Sequence, residues 1–294
     1  MITTELDRAA AGHGLRYAPD PASAALSTIG GNIATNAGGL RCAKYGVTRD
    51  SVLGLEAVLS DGTVVRTGRR TVKGVTGYDL TALLTGSEGT LAVITSATLR
   101  LRPVPVATAT LAAYFASFEA AAEASYALTR AGVEPALAEL VDGPVLGAVD
   151  PALRERGAAL LLVQCDSAGA AIEAEAVSRL LAPLATTVET TADPVEAEAL
   201  LAARRLALPA LERLGRPLIE DIAVPRSRLA EAAREIRAVS ARHDVPVFTS
   251  PSRTRRTGTS TRSSSWTRRC PASPARPGRQ RVRSSRWPCG WAAR

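Results

Sequence analysis

The hydrophobic pattern is clearest in the middle of the chain. The near-continuous apolar runs "ATLAAYF" (109–115) and "AALLLVQCD" (158–166) predict strands, the second one buried. Between and after them, 117–132 and 171–184 repeat apolar residues at three- and four-residue spacing and predict helices. A single long helix is predicted over 193–215. At its start Asp193 is a cap acceptor, Pro194 a residue whose missing N–H costs nothing there, and Glu196 an acid three residues on. A strand at 219–225, a helix over 226–242 and a strand at 245–248 complete what reads as an α+β layer.

Upstream the texture differs. Residues 52–68 read as two strands joined through Asp61-Gly62, a tight-turn dipeptide. Residues 77–86 predict a short helix closed by glycine, and 89–103 a strand ending at Pro103 and Pro105, which mark a boundary near residue 104. The first residues form a short helical pattern, and Asp20-Pro21 reads as a second helix start.

After Phe248 all periodicity stops. The formal charge is +8, yet residues 249–294 hold twelve arginines and no acid, so the first 248 residues carry 24 basic and 28 acidic side chains. A basic-tailed nucleic-acid-binding protein is therefore a minor alternative, because the charge belongs to a segment whose composition predicts a disordered tail. All three tryptophans and two of the four cysteines lie in that segment. Cys42 and Cys165 have no metal-ligand spacing and fit a reducing compartment as small buried residues. No apolar run has the length of a membrane span, and the expected location is cytoplasmic, membrane-peripheral at most through a partner. His13 and His243 stand outside any motif and read as surface or structural residues.

Two segments carry chemistry. "STIGGNIATNAGG" (27–39) has no bulky side chain except Ile29 and Ile33, and its glycines permit close backbone approach while Asn and Thr supply hydrogen bonds. In "GYDLTALLTGSEGTLAVIT" (77–95), Gly86, Glu88 and Gly89 punctuate a helix-to-strand turn. Neither segment is a Rossmann or Walker motif.

Together with "KYGVTRDSVLGLEAVLSDG", "AARRLALPAL" and "EDIAVP", these segments resemble the FAD-linked oxidases and dehydrogenases of 2-hydroxy acids, whose flavin domain is of the vanillyl-alcohol-oxidase type. The resemblance runs from about Tyr17 to Phe248. It implies the second half of an FAD-binding domain over 1–104 and a partial α+β cap, or substrate, domain over 105–248. Implied FAD contacts are Pro19, Asp20, Thr28, Gly31, Asn32, Thr35, Asn36, Gly38 and Gly39, with Glu88, Gly89 and Ile94 toward the adenine half. Arg204 is the implied ligand of a substrate carboxylate, which a planar guanidinium can hold in a bidentate fashion, and Arg205 is the weaker candidate. The implied reaction oxidises a D-2-hydroxy acid such as lactate or glycolate to the 2-oxo acid by hydride transfer to flavin N5. The electrons then go to an acceptor protein or a quinone.

Two departures accompany the resemblance. The family's flavin domain opens with roughly a hundred residues that carry another glycine-rich loop, and the family motif His-x-Gly-Asp-Gly-Asn-x-His, which supplies metal ligands, has no counterpart here. No histidine follows His243. The catalytic residues and the divalent metal site of the family are thus unassigned. A one-base shift over 258–268 can be written to encode Gly-Asn-Leu-His-Pro-Leu, so the expectation is an incomplete copy with a frameshifted end. The alternative is a non-catalytic subunit that pairs with a separate flavin half.

Overall fold

The computed structural model describes residues 1–69, 71, 73–244, 246–253 and 259–266. In chain order the elements are α1 (Thr3–Ala11), β1 (Leu15–Arg16), α2 (Ile29–Thr35), α3 (Cys42–Tyr45), α4 (Thr48–Ser51), β2 (Val52–Val58), β3 (Val64–Gly68), α5 (Leu80–Leu84), β4 (Val93–Leu99) and β5 (Arg102–Pro103). There follow β6 (Ala109–Phe115), α6 (Phe118–Arg130), β7 (Leu137–Asp142), α7 (Gly143–Val149), α8 (Pro151–Arg156), β8 (Ala159–Cys165), α9 (Ala170–Leu181) and β9 (Thr187–Thr191). The last elements are α10 (Pro194–Arg205), α11 (Ala207–Leu214), β10 (Pro217–Val224), α12 (Leu229–His243), β11 (Val247–Arg253) and β12 (Thr259–Trp266).

The fold is mixed α and β. Residues up to Pro103 build a two-stranded ribbon, β1–β5, and a three-stranded antiparallel sheet ordered β3-β2-β4. Asp61-Gly62 forms the expected turn, with Gly62 at φ +84°. From Ala109 onward a seven-stranded antiparallel sheet runs in the order β10-β12-β11-β7-β8-β6-β9.

The apolar runs of β6 and β8 follow from helices on both faces. Leu111, Ala113, Phe115, Leu161 and Val163 pack against α6, α9 and α12, while Ala112, Tyr114, Leu160 and Leu162 meet α7, α10 and α11. Alternate side chains thus enter two different cores, and the polar residues of the two strands, Thr110 and Gln164, hydrogen-bond each other, Gln164 Nε2 donating to Thr110 Oγ1 at 3.0 Å. A third core joins Tyr17, Ile29, Ile33, Val52, Leu55, Ala57, Leu84 and Ala92 in the N-terminal part.

Three expectations change. Residues 193–215 form two helices, because Pro209 has no N–H and its ring opposes a continuous turn. The chain breaks at Leu206 and leaves Pro209 in the first turn of α11, where it is tolerated. Asp193 caps α10 through Val195 N and Glu196 N at 2.8 and 2.9 Å, but Glu196 accepts from Thr191 Oγ1 rather than from its own cap. Asp20-Pro21 starts no helix: residues 22–26 form turns, and the Asp20 carboxylate is engaged elsewhere.

The stretch expected to be irregular from 249 contains the end of β11 and all of β12, which pair with each other through backbone bonds that need no apolar alternation. The rest of that segment, including the proposed frameshift's remaining positions, lies outside the described residues. β11 is tied to β7, Ser252 pairing with Glu139. Asp142 caps α7 through Val145 N and also accepts from Thr249 N and Oγ1 at 2.6 and 2.8 Å. Burial pushes the Asp142 carboxyl up to about 6 against these bonds.

Candidate functional site

The glycine-rich segment is built around α2. Ile29 and Ile33, four residues apart, face the core and are 9% and 1% exposed. Gly30, Gly31 and Thr35 consequently lie on the outer side. Thr28 starts the helix, its Oγ1 accepting from Gly31 N at 3.0 Å. A Cβ placed on Gly30 would meet no atom within 4 Å. Glycine in a helix costs about 1 kcal/mol relative to alanine, so packing within this chain does not explain its presence.

The other polar residues of the segment shape the backbone. Asn32 is buried and its Nδ2 donates to Thr3 Oγ1 at 2.8 Å. Thr35 Oγ1 donates to Gly31 O at 3.0 Å. Asn36 closes the helix in the left-handed conformation, φ 50°, and its Oδ1 accepts from Arg49 N at 2.9 Å.

The second glycine segment docks on the C-terminal end of α2. Gly86 N donates to Ile33 O and Glu88 N to Ala34 O, each at 2.9 Å. Gly86, Glu88 and Gly89 all have positive φ, so the turn holds three left-handed residues within four positions. Ile94 sits on β4 opposite Ala57 and packs against the N-terminal core. Tertiary structure therefore brings the two segments side by side.

Asp20, preceded by the buried Pro19, meets the far end of the glycine segment, where Gly38 is exposed and Gly39 half-buried. Asp20 Oδ1 accepts from Arg41 N at 3.0 Å, and Oδ2 lies 3.7 Å from Arg41 Nε. Burial raises the Asp20 carboxyl above its ordinary range despite the Arg41 charge. A Cβ on Gly39 would fall 2.4 Å from the Asp20 carbonyl, so only glycine fits. Gly39 N donates to Cys42 Sγ at 2.9 Å. Burial pushes the Cys42 thiol up to about 12; the carboxylates of Asp20 and Glu139 add to the rise, against the Gly39 bond.

Glu139 belongs to β7 and is fully buried, and Leu40 packs into the core beneath it, so this loop stands against the seven-stranded sheet. Arg204 Nε donates to Glu139 Oε2 at 2.7 Å, and the Arg204 side chain is 18% exposed. Arg205 turns outward and pairs with Glu198. The two arginines are thus separated by environment. His13 and His243 are exposed, and Cys42 and Cys165 are buried free thiols. Sequence reasoning missed Glu139. Its signal is an acid inside the apolar run "LAELVD".

Among the described residues no group of three or more His, Cys, Asp or Glu side chains is placed to hold a metal ion. No helix among them is long and apolar enough to cross a membrane.

Comparison with known proteins agrees with this architecture. Residues 1–68 match the FAD binding domain family and residues 104–251 the family "FAD linked oxidases, C-terminal domain". The chain is 41% identical over 259 residues to glycolate oxidase subunit GlcD of Bacillus subtilis (strain 168), covering 85% of this chain and 55% of the relative. It is 37% identical over 252 residues to D-lactate dehydrogenase of Archaeoglobus fulgidus, covering 83% and 55%. The chain spans about half the length of the curated relatives it matches. The fold is shared with alkyldihydroxyacetonephosphate synthase, TM-score 0.70 at 20% identity, covering 90% of this chain and 56% of that one. With a flavin-type segment matched over residues 1–68 and the C-terminal domain family matched over half of the chain, the chain belongs to the FAD-linked oxidases.

Proposed function

We infer that this chain contributes flavin- and substrate-binding residues to an FAD-dependent oxidoreductase that converts a D-2-hydroxy acid of the lactate or glycolate kind to its 2-oxo acid. The observation that carries the reading is the bare outer surface of α2 at Gly30 beside the turn at Gly86–Gly89. That surface offers small side chains and close backbone approach to a dinucleotide without a steric barrier. Thr28, Gly31, Thr35, Gly38 and Gly89 are the proposed contacts. Asp20, Asn32, Asn36, Gly39 and Glu88 act through the backbone they hold, and Pro19 and Ile94 through packing.

Bound FAD would supply the hydride acceptor. Arg204 would bind the substrate carboxylate through its two Nη groups, its Nε being engaged by Glu139. Burial at this position excludes water and strengthens that contact. No residue of this chain is assigned to remove the hydroxyl proton, and the family's histidine motif does not occur in its sequence. We therefore read the chain as insufficient for turnover by itself and weak in FAD binding, with a quinone or acceptor protein as the onward electron carrier.

The test is titration of FAD into the full chain, followed by flavin fluorescence, for the wild type and Gly30→Val. Expected is saturable binding with a dissociation constant of about 10 μM or weaker, reduced roughly tenfold in Gly30→Val at unchanged stability. Equal FAD binding by both proteins overturns the assignment of the α2 surface. Stoichiometric flavin on purification, bleached by lactate or glycolate, overturns the claim of insufficiency.

A further inference from the structure

Asp166 follows β8, in the C-terminal layer, yet its carboxylate bonds lead to the other part of the chain. Its Oδ2 accepts from Arg16 Nη2 at 2.8 Å and from Tyr45 Oη at 2.6 Å, and its Oδ1 accepts from Lys44 Nζ at 2.6 Å. The Asp166 side chain is 2% exposed. The Arg16 guanidinium lies over the Tyr45 ring, 4.8 Å from its centroid. A buried carboxylate is tolerated only with such donors, and three converge from two elements, β1 and α3.

The element they hold, α3, is a single turn of four residues. A helix of that length has no stability of its own and stands where its side chains are fixed. α3 also packs its buried Cys42 and Ala43 toward β7 and β11, and it meets the glycine loop through Gly39 N to Cys42 Sγ, beside Arg41 N to Asp20 Oδ1. The Gly39 amide is thereby tied to the position of α3 through Cys42.

We propose that Asp166 is a positioning residue for the Gly38–Gly39 loop, coupling the C-terminal layer to the segment that faces the flavin. The loop's contact with flavin rests on the functional reading above, whereas its dependence on Asp166 does not.

Hydrogen–deuterium exchange on the full chain separates the two. In Asp166→Ala the amides of residues 39–46 exchange at least about tenfold faster, while those of β6 and β8 keep wild-type protection. Tyr45→Phe, which keeps the ring and all charges but removes one bond, changes the same amides in the same direction to a smaller extent. Unchanged exchange over 39–46 overturns the proposal. Loss of protection spread equally over β6, β8 and the loop also overturns it, since a merely structural ion cluster would behave that way. Should Asp166→Ala not fold, Tyr45→Phe decides alone by the same local readout. No flavin enters the measurement, so failure of the flavin reading is a separate result.

Discussion

Glu139 and Arg204 lie 65 residues apart and meet at 2.7 Å, the carboxylate fully buried on β7 and the guanidinium on the last turn of α10. A buried ion pair is a poor source of net stability, but removing one partner strands the other. The geometry fixes one edge of the arginine and leaves its remaining donors for a second anion.

Glu139→Ala is expected to destabilise the chain by about 3 kcal/mol, since it leaves a partly buried guanidinium without its carboxylate. Glu139→Ala with Arg204→Met should recover much of that loss, because both charges are then gone. Urea unfolding of the two single variants and the double variant measures the coupling; additive effects would mean that the pair does not act as a unit.

Gly39 and Gly30 should respond oppositely to alanine. At Gly39 the new Cβ would fall 2.4 Å from the Asp20 carbonyl, a backbone atom that cannot yield without moving the loop, and a loss of about 2 kcal/mol is expected. At Gly30 the space is open within the chain and the site is helical, so alanine should be neutral or stabilise by up to about 1 kcal/mol. Thermal midpoints of the two variants, both below or both above that of the wild type, would contradict this.

Two buried aspartates should tilt the stability curve in opposite directions. Burial raises Asp142 from an ordinary 3.8 to about 6. The folded chain therefore holds that proton more tightly than the unfolded chain. The contribution is fully present below about pH 4 and is lost as pH rises through 6, amounting to roughly 3 kcal/mol at most.

At Asp166 burial would also raise the carboxyl, but the bonds from Lys44, Tyr45 and Arg16 outweigh it and hold it below its ordinary value. Its contribution is present above the ordinary carboxylate range and is lost on acidification. Relative to wild type, urea midpoints should rise with pH between about 4 and 7 for Asp142→Asn, and should fall with rising pH below about pH 4 for Asp166→Asn. Parallel curves for all three proteins would refute the assignment.

Elements with strong local signals can be read directly from the chain. The hairpin at Asp61-Gly62, the buried strands β6 and β8, the cap at Asp193 and the two glycine segments were all legible, because turn chemistry, apolar periodicity and capping are properties of neighbouring residues. The resemblance that ranked Arg204 ahead of Arg205 was likewise carried by short motifs. The remaining features depend on the packed fold. Pro209 broke a helix that periodicity alone had read as continuous, and the Asp20 carboxylate capped no helix because Arg41 N, distant in sequence, claimed it. Only the packed fold placed the turn at Gly86 on the end of α2, set Glu139 against Arg204, and gathered Arg16, Lys44 and Tyr45 around Asp166. Those contacts join residues tens to more than a hundred positions apart. Their partners are chosen by the burial of charge, and burial is a property of the assembled layers that no local pattern encodes.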